Sequence, residues 1–403
     1  MKYLIILGDG MADYPIKELG GATPLDKAVK PHMDYLAAHG ICGLVRTVPE
    51  GVAPGSDTAN LSVLGYDPQK YYSGRSSLEA VSMGIELDDN DVTYRCNTVT
   101  LSDEDNFENC LMLDHSSGDI STEEATVIIN DLNGLFKNDK LDLYPGFSYR
   151  HCLVLKDSQT GAVLTQPHDI LGKPIRRCLP KGQNGKILEQ MIRLSYQYLR
   201  HHPINEERRN LGLNIASAIW FWGEGRKPAL PCFAEKYGCR GAMISAVDLM
   251  KGIGKCAGLD VIEVEGATGN INTNYQGKAE AAINALRNSC DFAYIHVEAP
   301  DECGHHHEIA NKIKSIELID KYIVGPIIKT LRDDGEDFAI LLLPDHPTPI
   351  RLRTHTSDPV PFALYRSNDE QDGQVTEYNE KSASSTGVFV DEGYTLIDSL
   401  IQK

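Results

Sequence analysis

The feature that most constrains this chain is a series of short, nearly unbroken apolar runs separated by segments long enough for helices. FAILLL at Phe338–Leu343 and FAYIHV at Phe292–Val297 are the clearest. A strand-length apolar run with little polar alternation is expected where a strand is covered on both faces, as in a parallel sheet sandwiched between helices. Further runs lie at Tyr3–Leu7, Gly241–Val247, Val261–Val264 and Phe362–Tyr365. Between them fall segments rich in good helix formers, Gly277–Leu286 with its KAEAAINAL and Ile313–Leu331. The alternation predicts an α/β protein whose mostly parallel sheet is flanked by helices.

The middle of the chain reads differently. Val92–Leu101 and Cys110–Leu113 have the pattern of half-buried strands, and STEEA at Ser121 supplies an N-cap and an acidic first turn for a helix. Tyr149–Leu155 follows as a strand and Asn184–Arg200 as a long amphipathic helix. This predicts an inserted α+β domain over 88–212, with a core built from 1–87 and 213–403. The acidic stretch SNDEQDGQ at 367–374 is expected to be an exposed loop.

Charge narrows the partners. Among 403 residues, 57 Asp and Glu against 39 Lys and Arg give a formal charge of -18, which argues against nucleic acid and anionic membrane. The apolar run Tyr3–Leu7 is too short, and too soon broken by Gly8 and Asp9, for an export signal or a membrane span. No later run approaches the ~18 apolar residues that spanning needs. Ten cysteines without a CxxC pair then read as reduced thiols, and the expected compartment is the cytoplasm.

In parallel sheets, sites gather beyond the carboxyl ends of the strands. Asp9 follows one predicted strand, Asp301 follows another in HVEAPDECGHHHE, and Asp345 with His346 follow a third in ILLLPDHPTP. Carboxylate oxygen with imidazole nitrogen suits Mn²⁺, Zn²⁺ or a related dication. Asp301 and His305 are four apart, so one helical turn brings both to the same ion; His306 and His307 compete for the role on spacing alone. Asp9 by itself reads as Asp-Gly turn chemistry. In APGSDTANLS, Gly55 permits a tight turn and Ser56 opens a helix, where free N–H groups favour an anion such as phosphate. Ser56 alone reads as an N-cap, and beside a dication it reads as a nucleophile. Rival motifs are missing: there is no GxxxxGK[ST], no HExxH and no GxSxG. The GxGxxA match at 252–257 lacks the acidic partner expected ~20 residues on.

LGDGMAD, PGSDTANLSVLGYDP with YYSGR, ISAVDLMKGIG, VEGATG, APDECGH, LPDHPTP and THTSDPVP run along nearly the whole chain. Together they resemble the cofactor-independent phosphoglycerate mutases of the archaeal type, in the alkaline phosphatase superfamily. The resemblance implies an alkaline-phosphatase-like fold with the insertion as a substrate-contacting lid. It also implies two divalent ions, Mn²⁺ foremost and Mg²⁺, Zn²⁺ or Co²⁺ as substitutes, and no 2,3-bisphosphoglycerate. Asp301, His305 and His355 would hold one ion, and Asp9, Ser56, Asp345 and His346 the other. Ser56 would accept phosphate from a small phosphorylated metabolite, 3-phosphoglycerate, and return it to give 2-phosphoglycerate, a glycolytic isomerase reaction. Arginine forks suit phosphate and carboxylate, and Arg75, Arg95 and Arg150 lie near the motifs, with His168 as a further substrate contact.

The chain also departs from the pattern. Asn60 stands where GSDxAHLS has histidine, and GRSSLEA over 74–80 replaces GRGPFEA. A DRRAGR-like segment reads Asp114, His115, Ser116, Ser117, Gly118, Asp119, with guanidinium groups lost and one acid gained. That shift opens an alternative, a homoserine kinase-like phosphotransferase of threonine biosynthesis that would use ATP, with a plain phosphomonoesterase behind it.

Overall fold

The computed structural model describes residues 1–401. It divides into two compact units, one formed by residues 1–72 with 229 onward, the other by Ser73–Pro228. In chain order the strands of the first unit begin with β1 (Lys2–Gly8) and β2 (Ile41–Val45). The second unit carries β3 (Val92–Leu101), β4 (Met112–Asp114), β5 (Leu141–Tyr144), β6 (Arg150–Leu155), β7 (Ala162–Val163), β8 (Lys181–Gly182) and β9 (Ala218–Arg226). The first unit resumes with β10 (Gly241–Ile244), β11 (Asp260–Ile262), β12 (Phe292–Val297), β13 (Phe338–Leu343), β14 (Val360–Arg366) and β15 (Phe389–Val390).

The first unit is an eight-stranded sheet in the order β11-β10-β12-β1-β13-β14-β2-β15. Only β14 runs against its neighbours. The central strands are buried along their whole length, which is why FAILLL and FAYIHV carry almost no polar residue. Register then fixes the functional edge. Leu7 of β1 lies opposite His296 of β12 and Leu343 of β13, so three adjacent strands end at one level. The chain leaves that level through Asp9, through the helix Ala299–His305 and through Asp345. The helix Ile309–Ile319 continues through a π-type turn at Asp320–Val324 into Gly325–Asp333. Inside that turn the Asp320 carboxylate accepts the Met33 N–H.

A buried ion pair ties the loops above this edge. The Lys312 ammonium, with no exposed surface, donates to Asp13 at 2.9 Å and to the Thr348 carbonyl at 2.8 Å. Asp13 in turn accepts the Ile350 N–H. Losing one partner strands a buried charge.

The second unit holds an antiparallel sheet ordered β4-β3-β6-β5, with β9 pairing β3 on its other edge. Helix Thr122–Phe136 opens with the capping box expected at Ser121, where the Glu124 side chain answers the serine. Helix Gly185–Leu199 buries one face against the sheet through Leu188, Met191 and Ile192. This unit reaches beyond 88–212 on both sides. Helix Arg75–Ser82 belongs to it because Ser76 Oγ bonds Thr93 of β3, and β9 belongs to it because it pairs β3 from Val92 to Val99. Both ties are long-range, so local pattern does not reveal them. All ten cysteines are free thiols. No helix among the described residues is long and apolar enough to cross a membrane. We predict that Asp13→Ala lowers stability by about 3–5 kcal/mol in denaturant titration; a loss under about 1 kcal/mol would contradict the role given to the pair.

Candidate metal centre

Strand ends bring the carboxylates together, and glycines make room for them. Gly10 turns the chain at φ 61°, and a Cβ there would lie 2.8 Å from the Asp301 Cα and from its carboxylate. Gly304, inside the helix that carries Asp301, faces Thr348, whose carbonyl would stand 2.6 Å from an added Cβ. Asp301 and His305 meet across one helical turn at 3.2 Å. His355 arrives from the loop after β13, with Nε2 at 3.4 Å from Asp301 and 2.9 Å from His305 Nε2. Its ring stacks on His346 at 4.0 Å. The neighbouring histidines point elsewhere: His306 lies near Glu302, and His307 Nδ1 faces the Ile350 carbonyl.

Ser56 is not an N-cap. Gly55 occupies that position and Ser56 is the first helical residue, while the Asp57 carboxylate serves the Thr58 N–H. The Ser56 hydroxyl is therefore not spent on the helix and lies 3.2 Å from His346 Nε2. His346 Nε2 also stands 3.4 Å from Asp345 Oδ2 and 3.7 Å from Asp9 Oδ1. Ligand atoms of Asp9, Asp345 and His346 fall within 4.8 Å of one another, and so do those of Asp301, His346 and His355.

The electrostatics call for cations. Asp9, Asp345 and His346 are wholly buried, and Asp9 Oδ1 has no hydrogen-bond partner. Burial, then the Asp345, Glu298 and Asp301 charges, raise the Asp9 carboxyl well above its ordinary range. Burial, followed by Asp301, raises Glu298 to about 8. Burial also opposes ionisation of Asp301, but hydrogen bonds from His305 and His355 outweigh it and hold that carboxyl well below its usual value. His305 rises to about 9, chiefly through its bond to Asp301. Carboxylates this close cannot all ionise unaided, and divalent ions among them remove the conflict. The residues present fit such ions.

Several contributors carried no motif. His296 Nε2 lies 2.9 Å from Asp9 Oδ2, and its Nδ1 lies 3.1 Å from Ser245 Oγ. Thr348 donates to Asp301 and Thr47 to the Asp345 carbonyl. Lys278, buried, donates to the His296 carbonyl at 2.7 Å. A histidine inside the otherwise apolar FAYIHV was the one readable anomaly among them.

In the second unit, Arg75 Nε and Arg95 Nε each lie 2.9 Å from the Glu79 carboxylate, and Arg150 adds its charge to the same group. Three guanidiniums face one acid. The Arg95 guanidinium sits 4.1 Å over the Trp222 ring, and burial with the neighbouring arginines lowers its pKa to about 10. His168 meets Trp222 edge-on at 5.4 Å, with His115 6.0 Å beyond it. His151 is buried and accepts the Gly146 N–H. Asp114 holds its own loop, accepting from Ser116, Gly118 and Asn214.

Sheet order and the carboxylate–imidazole cluster define an α/β protein with a mostly parallel sheet and a candidate centre for divalent metals. A family model described as 2,3-bisphosphoglycerate-independent phosphoglycerate mutase matches residues 37–205. A protein of that name from Methanothrix thermoacetophila is 50% identical, with 100% of both chains covered. A Geobacter sulfurreducens protein named as a probable mutase of this kind is 48% identical over 100% of both. Among solved structures, a Pyrococcus horikoshii protein superposes with a TM-score of 0.81 at 31% identity, covering 99% of this chain and 97% of that one. The cofactor-independent phosphoglycerate mutase of Thermoplasma acidophilum gives 0.68 at 25% identity, covering 100% and 99%. The chain belongs to the 2,3-bisphosphoglycerate-independent phosphoglycerate mutase family.

The titrations set a pH dependence. Glu298 at about 8 and His305 at about 9 keep protons in the folded protein that the unfolded chain has released. Stability without metal therefore falls as pH rises from about 6.5 to about 8. Below that window the buried neutral His296, lowered to about 3, works in the opposite sense, and above it Lys278, lowered to about 8, does. We predict this slope in chelator-treated protein and its loss on adding Mn²⁺, followed by denaturant unfolding across the window; equal slopes with and without metal would contradict it.

Proposed function

We propose that this protein interconverts 3-phosphoglycerate and 2-phosphoglycerate without 2,3-bisphosphoglycerate, through a phosphoserine on Ser56. The observation that carries this reading is the Ser56 hydroxyl, unused by its helix, 3.2 Å from His346 within the Asp9, Asp345 and His346 cluster. Full-length relatives named as such mutases, 48–50% identical, support the substrate. Those same names lend nothing to homoserine phosphorylation.

Asp9, Ser56, Asp345 and His346 would hold one ion, and Asp301, His305 and His355 the other, with Mn²⁺ the preferred metal. Bound dications would lower the pKa of the serine hydroxyl and neutralise phosphate oxygens. Helix entry at Gly55 leaves the Ser56 hydroxyl beside His346, and the helix start there would suit the anion. The bond from Ser56 Oγ to phosphorus forms as the glycerate ester bond breaks, and the leaving oxygen takes up the proton that the serine gives up. Return to the neighbouring hydroxyl reverses both changes, so neither water nor ATP is consumed. Arg75, Arg95 and Arg150 offer forked donors to the carboxylate and phosphate, with His168 beside them. We assign the second unit the lid role that the family resemblance implies. Small phosphorylated metabolites of the cytoplasm are the expected partners.

His296 should not ligate an ion of its own. Ser245 Oγ accepts the Val247 N–H, and we assign its proton to His296 Nδ1, an assignment that makes Nε2 a donor to Asp9. We therefore predict two bound ions per chain by elemental analysis of Mn²⁺-loaded protein; three would contradict this assignment. Phosphorus NMR should show interconversion of the two phosphoglycerates without ATP, abolished by chelator and restored by Mn²⁺. Ser56→Ala should lower turnover by at least ~1000-fold, and Arg95→Ala should raise KM by about 10-fold or more. No interconversion by the loaded protein would refute the mutase reading.

A further inference from the structure

Asp345 is held by more than its place after β13. Its Oδ1 accepts two backbone N–H groups, from Gly10 at 3.2 Å and from His346 at 2.9 Å. Its Oδ2 accepts the Asn60 side-chain amide at 2.8 Å. A carboxylate offers about four lone-pair positions. Three are occupied here, and the remaining one belongs to Oδ2, the oxygen 3.4 Å from His346 Nε2.

Asn60 is itself fully committed. The Tyr294 hydroxyl donates to Asn60 Oδ1 at 2.6 Å, and Asn60 Nδ2 donates both to Asp345 Oδ2 and to the Ser56 carbonyl at 2.8 Å. All three side chains are buried without exposed surface. A flipped amide would set its oxygen against two acceptors, Asp345 Oδ2 and the Ser56 carbonyl, so the orientation is determined by the network.

We infer that Asn60 is a positioning residue: with Oδ1 occupied by the Gly10 and His346 N–H groups, Asn60 fixes Oδ2, the oxygen left to ligate, to the turn that carries Ser56. The inference rests on reading the Asp9, Ser56, Asp345 and His346 cluster as one of two ion sites. Because the amide carries no charge and exchanges no proton, it holds that geometry across the working pH range. Partners of this kind orient ligands in many metal sites, and removing one typically costs ~10–100-fold in affinity.

The test is calorimetric titration of Mn²⁺ into chelator-stripped protein. In Asn60→Leu, of similar size but without donors, one of the two ions should bind ~10–100-fold more weakly while the other keeps its affinity. Tyr294→Phe, which removes only the hydroxyl that directs the amide, should weaken the same ion by about 3–10-fold and decides the matter if the leucine variant does not fold. Unchanged affinities, or equal weakening of both ions, would overturn the inference. Wild-type protein that binds no Mn²⁺ would instead overturn the metal reading on which it rests.

Discussion

Four carboxylates, Asp9, Glu298, Asp301 and Asp345, converge beyond the ends of three neighbouring strands, and their repulsion is the constraint on which the rest depends. Parallel strands in matched register make the convergence unavoidable, because β1, β12 and β13 all release their chains at one level. Donors answer three of the four acids, while Glu298, its Oε2 without a hydrogen-bond partner, is pushed up to about 8 by burial and Asp301. Asp301 is answered by two imidazoles, Asp9 by His296, and Asp345 by backbone N–H groups and the Asn60 amide. What these donors leave over, above all the unpartnered Asp9 Oδ1, is the share that divalent ions would take.

The surrounding architecture serves that arrangement. Glycines at 10 and 304 remove side chains where loops cross at contact distance. The Lys312–Asp13 pair joins the chain after β1 to Thr348 and Ile350, on the loop that follows Asp345 and His346. Such a pair contributes little net stability against a well-packed apolar alternative, yet it fixes where the loops lie. Ser56 illustrates the same economy: with Gly55 as the cap and Asp57 serving the next N–H, its hydroxyl stays uncommitted.

Much of this was legible in the sequence for physical reasons. Strands buried on both faces must be apolar throughout, so Phe292–Val297 and Phe338–Leu343 fell where their runs placed them. The capping box at Ser121 is local chemistry and was equally readable. By contrast β2, β15 and β9 are defined by long-range pairing, and the span of the second unit follows from β9 lying along β3. In the site, spacing identified Asp301 with His305 but could not choose among three histidines, whereas the helix turn does. His355 sits in an irregular loop, and only the family resemblance pointed to it. Asn60 acts with Tyr294 and His296 with Asp9, and such pairings between distant segments are not specified by local pattern.

The central claim is that Ser56 carries the phosphoryl group between two hydroxyls of one substrate. Mass spectrometry of Mn²⁺-loaded protein, quenched in acid during turnover of 3-phosphoglycerate and digested, tests it most directly. The peptide containing Ser56 is predicted to appear one phosphoryl group heavier, with the modification on that serine and absent from Ser56→Ala. Turnover with that peptide unmodified, or with the phosphoryl group on another residue, would contradict the account.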